Sequence, residues 1–427
     1  VPALVRHARE AKLPELEARL LSDQSYAQSG LGQTVLARES AELALRLFRA
    51  NGERRGAAHA ENLLCVATIR EARYDEAERL CRRALLDNRR VGDLSTAARV
   101  LSNLSVTYRR RGLLREARAG YAEALTLERR AFGNPIALAR ILHNISNVEV
   151  ELGELHAAEA HLRDAIAVLR TSDNQLSLFH SLTSLGVVLR NLGSVDEAAA
   201  LFAEAAPIAE KVAPPSDLAA LFLQQGDLWR SIGDDPQAAA FYGKAAQLLE
   251  GTDDDLVVNV DFARRSLEVP TPFVCRELER GQRRLAALED NGAVQAPIVV
   301  ARCWIDAQNP AAAARWIADA APRAQAAGHV EDLRDLALAR AYLGLAQGHL
   351  PDAEAAIREA DANCRAHGYA EPRLEVRFLE VRLALERGDH PERVRVLAEE
   401  LVRDARSGRF GGIAKKAEQL LQSKRLG

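Results

Sequence analysis

Methionine is absent from the 427 residues, and only six of the 57 basic residues are lysines: Lys12, Lys211, Lys244, Lys415, Lys416 and Lys424. The remaining basic residues are arginines, a bias expected of a GC-rich bacterial genome. Long apolar runs are also missing. Stretches such as Ala296–Ala301 and Ala311–Ala314 fall far short of the ~18 residues that a spanning helix needs, so no membrane segment is expected. The start, Val-Pro-Ala-Leu-Val-Arg, runs into charge without an apolar core and does not read as a secretory signal. Aromatics make up 5 % and the net charge is -3, which leaves little base stacking or phosphate neutralisation and argues against a nucleic-acid-binding coat. An apolar fraction of 48 % argues against disorder.

The five cysteines are Cys65, Cys81, Cys275, Cys303 and Cys364. Their number is odd and none forms Cys-x-x-Cys. A disulfide framework or zinc site is therefore disfavoured, and a reducing cytoplasm is the expected compartment. The catalytic signatures are missing too. There is no Gly-x-x-x-x-Gly-Lys-Ser/Thr phosphate loop, no Gly-x-Gly-x-x-Gly, no His-Glu-x-x-His and no Gly-x-Ser-x-Gly. Carboxylates are plentiful but fall in Glu/Arg patterns such as Glu76, Arg82 and Arg83, which read as solvated helix faces. The expectation is a protein that is not an enzyme and holds neither cofactor nor metal.

What is present is a repeat. Leu104-Ser105-Val106-Thr107-Tyr108 leads to Gly112, then Ala117, Tyr121 and Ala124. Ile145-Ser146-Asn147 leads to Gly153, Ala158, Leu162 and Ala165. Leu185-Gly186-Val187 leads to Gly193, Ala198, Phe202 and Ala205, and Gly226-Asp227-Leu228 leads to Gly233, Ala238, Tyr242 and Ala245. Towards the start, Ala72, Ala77, Cys81 and Ala84 fit, as do Gly32, Ala37, Ala41 and Ala44. The step is 40 residues, once 41. The pattern predicts helix hairpins. A small residue in the first helix marks a close crossing, and glycine turns the chain. Alanines seven apart, with a large residue between, form the buried face of the second helix.

These columns resemble tetratricopeptide repeats in a long, 40-residue form, similar to that of GoLoco-binding adaptors, kinesin light chains and the sensor domains of bacterial STAND-type transcription activators. The resemblance implies an all-α, right-handed superhelical solenoid of antiparallel hairpins, about ten repeats long. Six regular repeats fill residues 1–250. A degenerate repeat or hinge covers 251–290, with its turn at Val269-Pro270-Thr271-Pro272 and an Asp253-Asp254-Asp255 linker before it. Repeats resume over 291–427 in the same phase, through Gln308, Ala313, Ile317 and Ala320 and then Gly348, Ala353, Ile357 and Ala360. A capping helix over 412–422 ends the array.

The repeat assigns places to single residues. Cys65 stands in the small column with Ser105, Ser146, Gly186 and Gly226, and Cys81 in the large column, so both read as inert core thiols. Tyr108 and Trp304 read as core aromatics. In the family the first helices line the concave face. One early first-helix column there reads Arg19, His59, Arg99, Arg140, His180, with the histidines expected to charge at mildly acidic pH. In later repeats the same column turns acidic, as Asp335 and Glu375, a reversal that suits an intramolecular or head-to-tail contact. A second column holds Arg109, Arg190 and Arg230. Asn62, Asn103, His143, Asn144, Asn147 and Asn191 lie nearby.

Arginine forks bind carboxylates or phosphates, and asparagine amides pin an extended backbone. The expected function is thus an interaction scaffold or sensor. Its basic groove would bind a protein or peptide partner that is acidic or carries a free C-terminal carboxylate. Asn103, Arg140 and Asn147 partly match the carboxylate clamp of chaperone-binding repeats, without the clamp's early lysine. The alternative is a regulatory module of a larger bacterial signalling or transcription regulator, which the start at Val1, close to the first helix, would suit. Direct nucleic-acid binding is a third and weaker reading.

Overall fold

The computed structural model describes residues 1–131, 134–251, 256–287 and 294–422. The Asp253–Asp255 linker lies outside them. The described residues form 22 helices joined by short turns. The first is α1 (Pro2–Glu10). Hairpins follow in order: α2 (Pro14–Gly30) with α3 (Thr34–Ala50), α4 (Arg54–Arg70) with α5 (Tyr74–Arg90), and α6 (Leu94–Arg110) with α7 (Leu114–Arg130). Next are α8 (Pro135–Glu151) and α9 (Leu155–Leu169), α10 (Gln175–Leu192) and α11 (Val195–Val212), and α12 (Pro215–Ile232) and α13 (Asp235–Leu248). The weakly patterned stretch supplies α14 (Leu256–Arg265) and α15 (Pro272–Ala287). The array ends with α16 (Gln295–Asp306), α17 (Pro310–Ala327), α18 (Val330–Gln347), α19 (Leu350–His367), α20 (Ala370–Arg387), α21 (Pro391–Ser407) and α22 (Gly411–Leu421). None of these helices is long and apolar enough to cross a membrane.

Two compact units divide the chain. The first is Val1–Glu149 with Asp164–Ser172, and the second is Val150–Arg163 with Asp173–Gly427. In the first unit, α2 packs on α3 and α4, α4 on α5 and α6, and α6 on α7.

Local chemistry sets the helix limits. Asp93 and Asn174 cap α6 and α10 by accepting hydrogen bonds from the amides of Thr96 (2.9 Å) and Ser177 (3.1 Å). The turn glycines Gly112, Gly153, Gly193 and Gly233 have φ between 73° and 89°, a region open to residues without a Cβ.

The small and large columns face each other. Ala77, Ala117, Ala158, Ala198 and Ala238 are fully buried, which lets the hairpin axes approach. A Cβ at Gly186 would overlap the Phe202 ring, and one at Gly226 would overlap the ring of Tyr242, itself fully buried. Gly226→Ala should therefore lose about 1–3 kcal/mol through overpacking, despite alanine's better helix propensity. Thermal unfolding of the variant checks this, and an unchanged midpoint would show that the ring can yield.

The same facing columns correct the expectation for the cysteines. Cys65 and Cys81, in the positions of Gly226 and Tyr242, are buried and disulfide-bonded, with Cα atoms 5.3 Å apart. Cys275 on α15 and Cys303 on α16 form a second disulfide at 5.6 Å between Cα atoms. Only Cys364 is free; it is buried, and burial pushes its thiol up to about 12. The Cys65–Cys81 pair arises from the repeat, which sets these two helix positions opposite each other, and not from a linear spacing motif.

Candidate functional site

Two sets of polar side chains stand on the first helices, one in each unit. The face in the first unit is formed by α2, α4, α6 and α8. Arg19 is exposed and lies 3.5 Å from Glu53 in an ion pair. On α4, Asn62 is buried and its Oδ1 accepts a hydrogen bond from Nδ2 of Asn103 on α6 at 2.9 Å, tying adjacent repeats together. Arg99, exposed on α6, donates to its own helix at Thr96 Oγ1 (2.9 Å). Arg109 and His143 are half-buried and engaged within the protein. Arg140 is exposed on α8, with Asn147 half-buried on the same helix.

His59 departs from the expected basic column. It is half-buried, and burial first, then the positive charge of Arg99, push it below the ordinary histidine range. Asp23 and Asp93 offset this only in part. The shift favours the neutral ring, which offers a hydrogen-bonding group there.

The exposed arginines of this column are Arg19, Arg99 and Arg140. Other arginines of the unit are matched, among them Arg38 with Glu71 at 3.0 Å, Arg49 with Glu61 at 2.5 Å and Arg82 with Glu78 at 2.7 Å. Among the described residues, no carboxylate lies within ion-pair reach of Arg99 or Arg140.

In the second unit the polar first-helix residues are engaged. His180 lies 3.4 Å from Asp217. Arg190 donates to Gln224 Oε1 at 3.2 Å and lies 3.7 Å from Asp227. Asn191 donates to Glu331 Oε1 on α18 at 3.1 Å, across 140 residues. Each of these three residues is thus engaged within the protein.

A separate buried cluster of the second unit gathers around Glu375 on α20. A single carboxylate oxygen accepts from Arg302 Nη2 (3.1 Å) and from the Tyr342 hydroxyl (2.9 Å). The Arg302 guanidinium stacks 3.3 Å from the Tyr342 ring centroid, and its buried Nε–H has no acceptor. Burial pushes Glu375 up. Arg302, Lys416 and the two hydrogen bonds outweigh it and hold the group at about 2. A similar group joins Arg334, stacked 4.3 Å over Tyr369, with Asp335 at 2.7 Å. A cavity of about 620 Å³ opens beside these groups, lined by Arg230, Arg302, Glu371, Glu375, Lys415 and Lys416 among others. The sequence signal for this cluster was the column that turns acidic at Asp335 and Glu375. Its basic partners Arg302 and Arg334 stand outside that column and were missed.

Stacked helix hairpins of 40 residues, with polar side chains ranked along their first helices and tight small-against-large packing between helices, define a repeat scaffold. The tetratricopeptide repeat family matches residues 96–171 and 179–218. The chain contains tetratricopeptide repeats. No curated protein sequence matches it.

Several solved structures share the fold. The apo form of RapI is 13 % identical, with 82 % of this chain and 97 % of that one covered at a TM-score of 0.59. A Rap protein complexed with competence and sporulation factor is 12 % identical, with coverage of 83 % and 99 % and the same TM-score of 0.59. The apo quorum sensor NprR from B. thuringiensis is 12 % identical, with coverage of 79 % and 99 % at 0.54. At these identities the likeness is one of fold.

Proposed function

We propose that the chain is a binding scaffold whose first-helix face over α4–α8 captures an acidic peptide or protein segment. The supporting observation is the exposure of Arg99 and Arg140, on the first helices of adjacent hairpins, with no carboxylate partner among the described residues. Asn103, His143 and Asn147 would supply backbone contacts, and the guanidinium forks would take carboxylates of the ligand or its C-terminus. The similar Rap structure complexed with competence and sporulation factor favours a peptide or protein ligand. Tetratricopeptide repeats are typically non-catalytic binding modules, so the reading assigns no reaction.

The test is a polarisation titration with a fluorescein-labelled, glutamate-rich decapeptide with a free C-terminus. Each charged hydrogen bond contributes about 1.5–3 kcal/mol, so Arg99→Glu, Arg140→Glu should weaken binding on the order of 100-fold. Equal binding to both proteins would place the ligand elsewhere. A second reading, a sensor module within a larger regulator, draws on the same fold likeness to NprR.

A further inference from the structure

The cavity of about 620 Å³ in the second unit is built from parts far apart in the chain. Its apolar wall comes from the turn after α14 and from α15, α16 and α18, as Leu267, Pro270, Val274, Leu278, Ile298 and Leu338. The last four of these are buried. α12 and α22 line it where their backbones meet. A Cβ at Gly233 would come 2.7 Å from the Gly412 amide nitrogen, and Lys415 donates to Gly233 O. A cavity of this size, with an apolar wall and few open polar groups, has the form of a small-molecule site.

The charges on the lining narrow the ligand. Six carboxylates and five cationic side chains line the cavity, an excess of one negative charge. Four of the cations are engaged. Arg230 donates to Ser266 Oγ at 2.9 Å, Arg265 to Asp261 at 2.9 Å and Arg302 to Glu375 at 3.1 Å, while Lys415 is held by Gly233. Among the carboxylates, Glu375 is held by Arg302 and Tyr342, and Asp335 by Arg334. Asp235, Glu268 and Asp306 are exposed to water. Glu371 differs from all of these. It is half-buried on α20, four residues from Glu375 and thus on the same helix face, and has no hydrogen bond or ion pair among the described residues. Burial pushes its carboxyl up. Arg230, Arg190 and Lys416 oppose this from beyond ion-pair reach and do not reverse it. A carboxylate withdrawn from water without a donor is costly, and a donor brought by a ligand would remove that cost.

We propose that this cavity binds a small organic monocation, a primary ammonium carried on an apolar body. The ammonium donates to Glu371, and the body lies along the wall of α15, α16 and α18. The single negative excess favours one positive charge over two. An anion finds only Lys416 without an acceptor among the described residues. The proposal concerns the second unit alone and does not rest on the acidic-ligand reading of α4–α8.

Calorimetric titration of the full chain at pH 7 with phenethylammonium chloride tests it, with 2-phenylethanol as the neutral counterpart. The ammonium should bind one-to-one and at least tenfold tighter than the alcohol. E371Q should lose at least tenfold in ammonium affinity and keep that for the alcohol, a loss within the reach of one charged hydrogen bond. D352N removes an exposed carboxylate outside the cavity and should change neither. No saturable ammonium binding in the millimolar range overturns the proposal. So does equal binding of ammonium and alcohol, an equal loss in D352N, or unchanged binding in E371Q whose circular dichroism matches its parent. If E371Q fails to fold, hydrogen exchange on the native chain decides. Phenethylammonium should slow exchange over residues 370–375 and 411–416, and protection confined to other segments overturns the proposal.

Discussion

Glu375→Ala should destabilise the second unit by about 3–5 kcal/mol, the range for removing one partner of a buried ion pair. The carboxylate is the common acceptor for Arg302 and Tyr342, and its loss leaves a guanidinium and a hydroxyl facing each other without a charge between them. In a unit of this size the unfolding midpoint should fall by on the order of 10 °C. The effect has a signed pH dependence. The carboxyl is held at about 2, below its ordinary range, so its contribution is fully present above the unfolded value near 4.5. It is lost as pH falls from there towards 2, and wild type and variant should converge in acid. A gap that persisted unchanged at pH 2 would mean that lost packing, not charge, explains the difference.

Reduction of the disulfides should have an effect of similar size. The Cys275–Cys303 bond spans 28 residues and Cys65–Cys81 spans 16. Loop-closure entropy gives about 3–4 kcal/mol for each. Thiol counting is the direct check. Alkylation of native protein should label no cysteine, because Cys364 is buried and its thiol is pushed up to about 12. Alkylation after denaturation without reductant should label one, and after reduction five. Five labelled cysteines without reductant would refute both bonds.

The hairpins were legible because each column answers a local demand. Alanine at 77, 117, 158, 198 and 238 suits the close crossing of two helix axes, and glycine at 112, 153, 193 and 233 suits a turn with positive φ, although Ala72 and Gln308 make the same turn without it. Such demands recur every 40 residues and survive without an alignment. The degenerate stretch kept enough turn chemistry at Pro270 and Pro272 to separate α14 from α15. Two kinds of feature were less legible. Disulfide pairing depends on which columns face each other, so Cys65 and Cys81 looked like two independent core residues. Contacts such as Asn191 with Glu331 join positions 140 residues apart and leave no periodic trace. The acidic turn of the column at Asp335 and Glu375 hinted at an internal contact without showing its partner. His59 shows a third limit, since residue type suggested a cation where burial and Arg99 favour the neutral ring.

The central claim is that the exposed arginines of α6 and α8 mark the ligand face. Hydrogen exchange on the full chain, with and without the glutamate-rich decapeptide, tests it most directly. The account predicts slowed exchange over residues 94–110 and 135–151, strongest at low salt, with no such change in the Arg99→Glu, Arg140→Glu protein. Protection confined to other helices, or retained by the double variant, would contradict it.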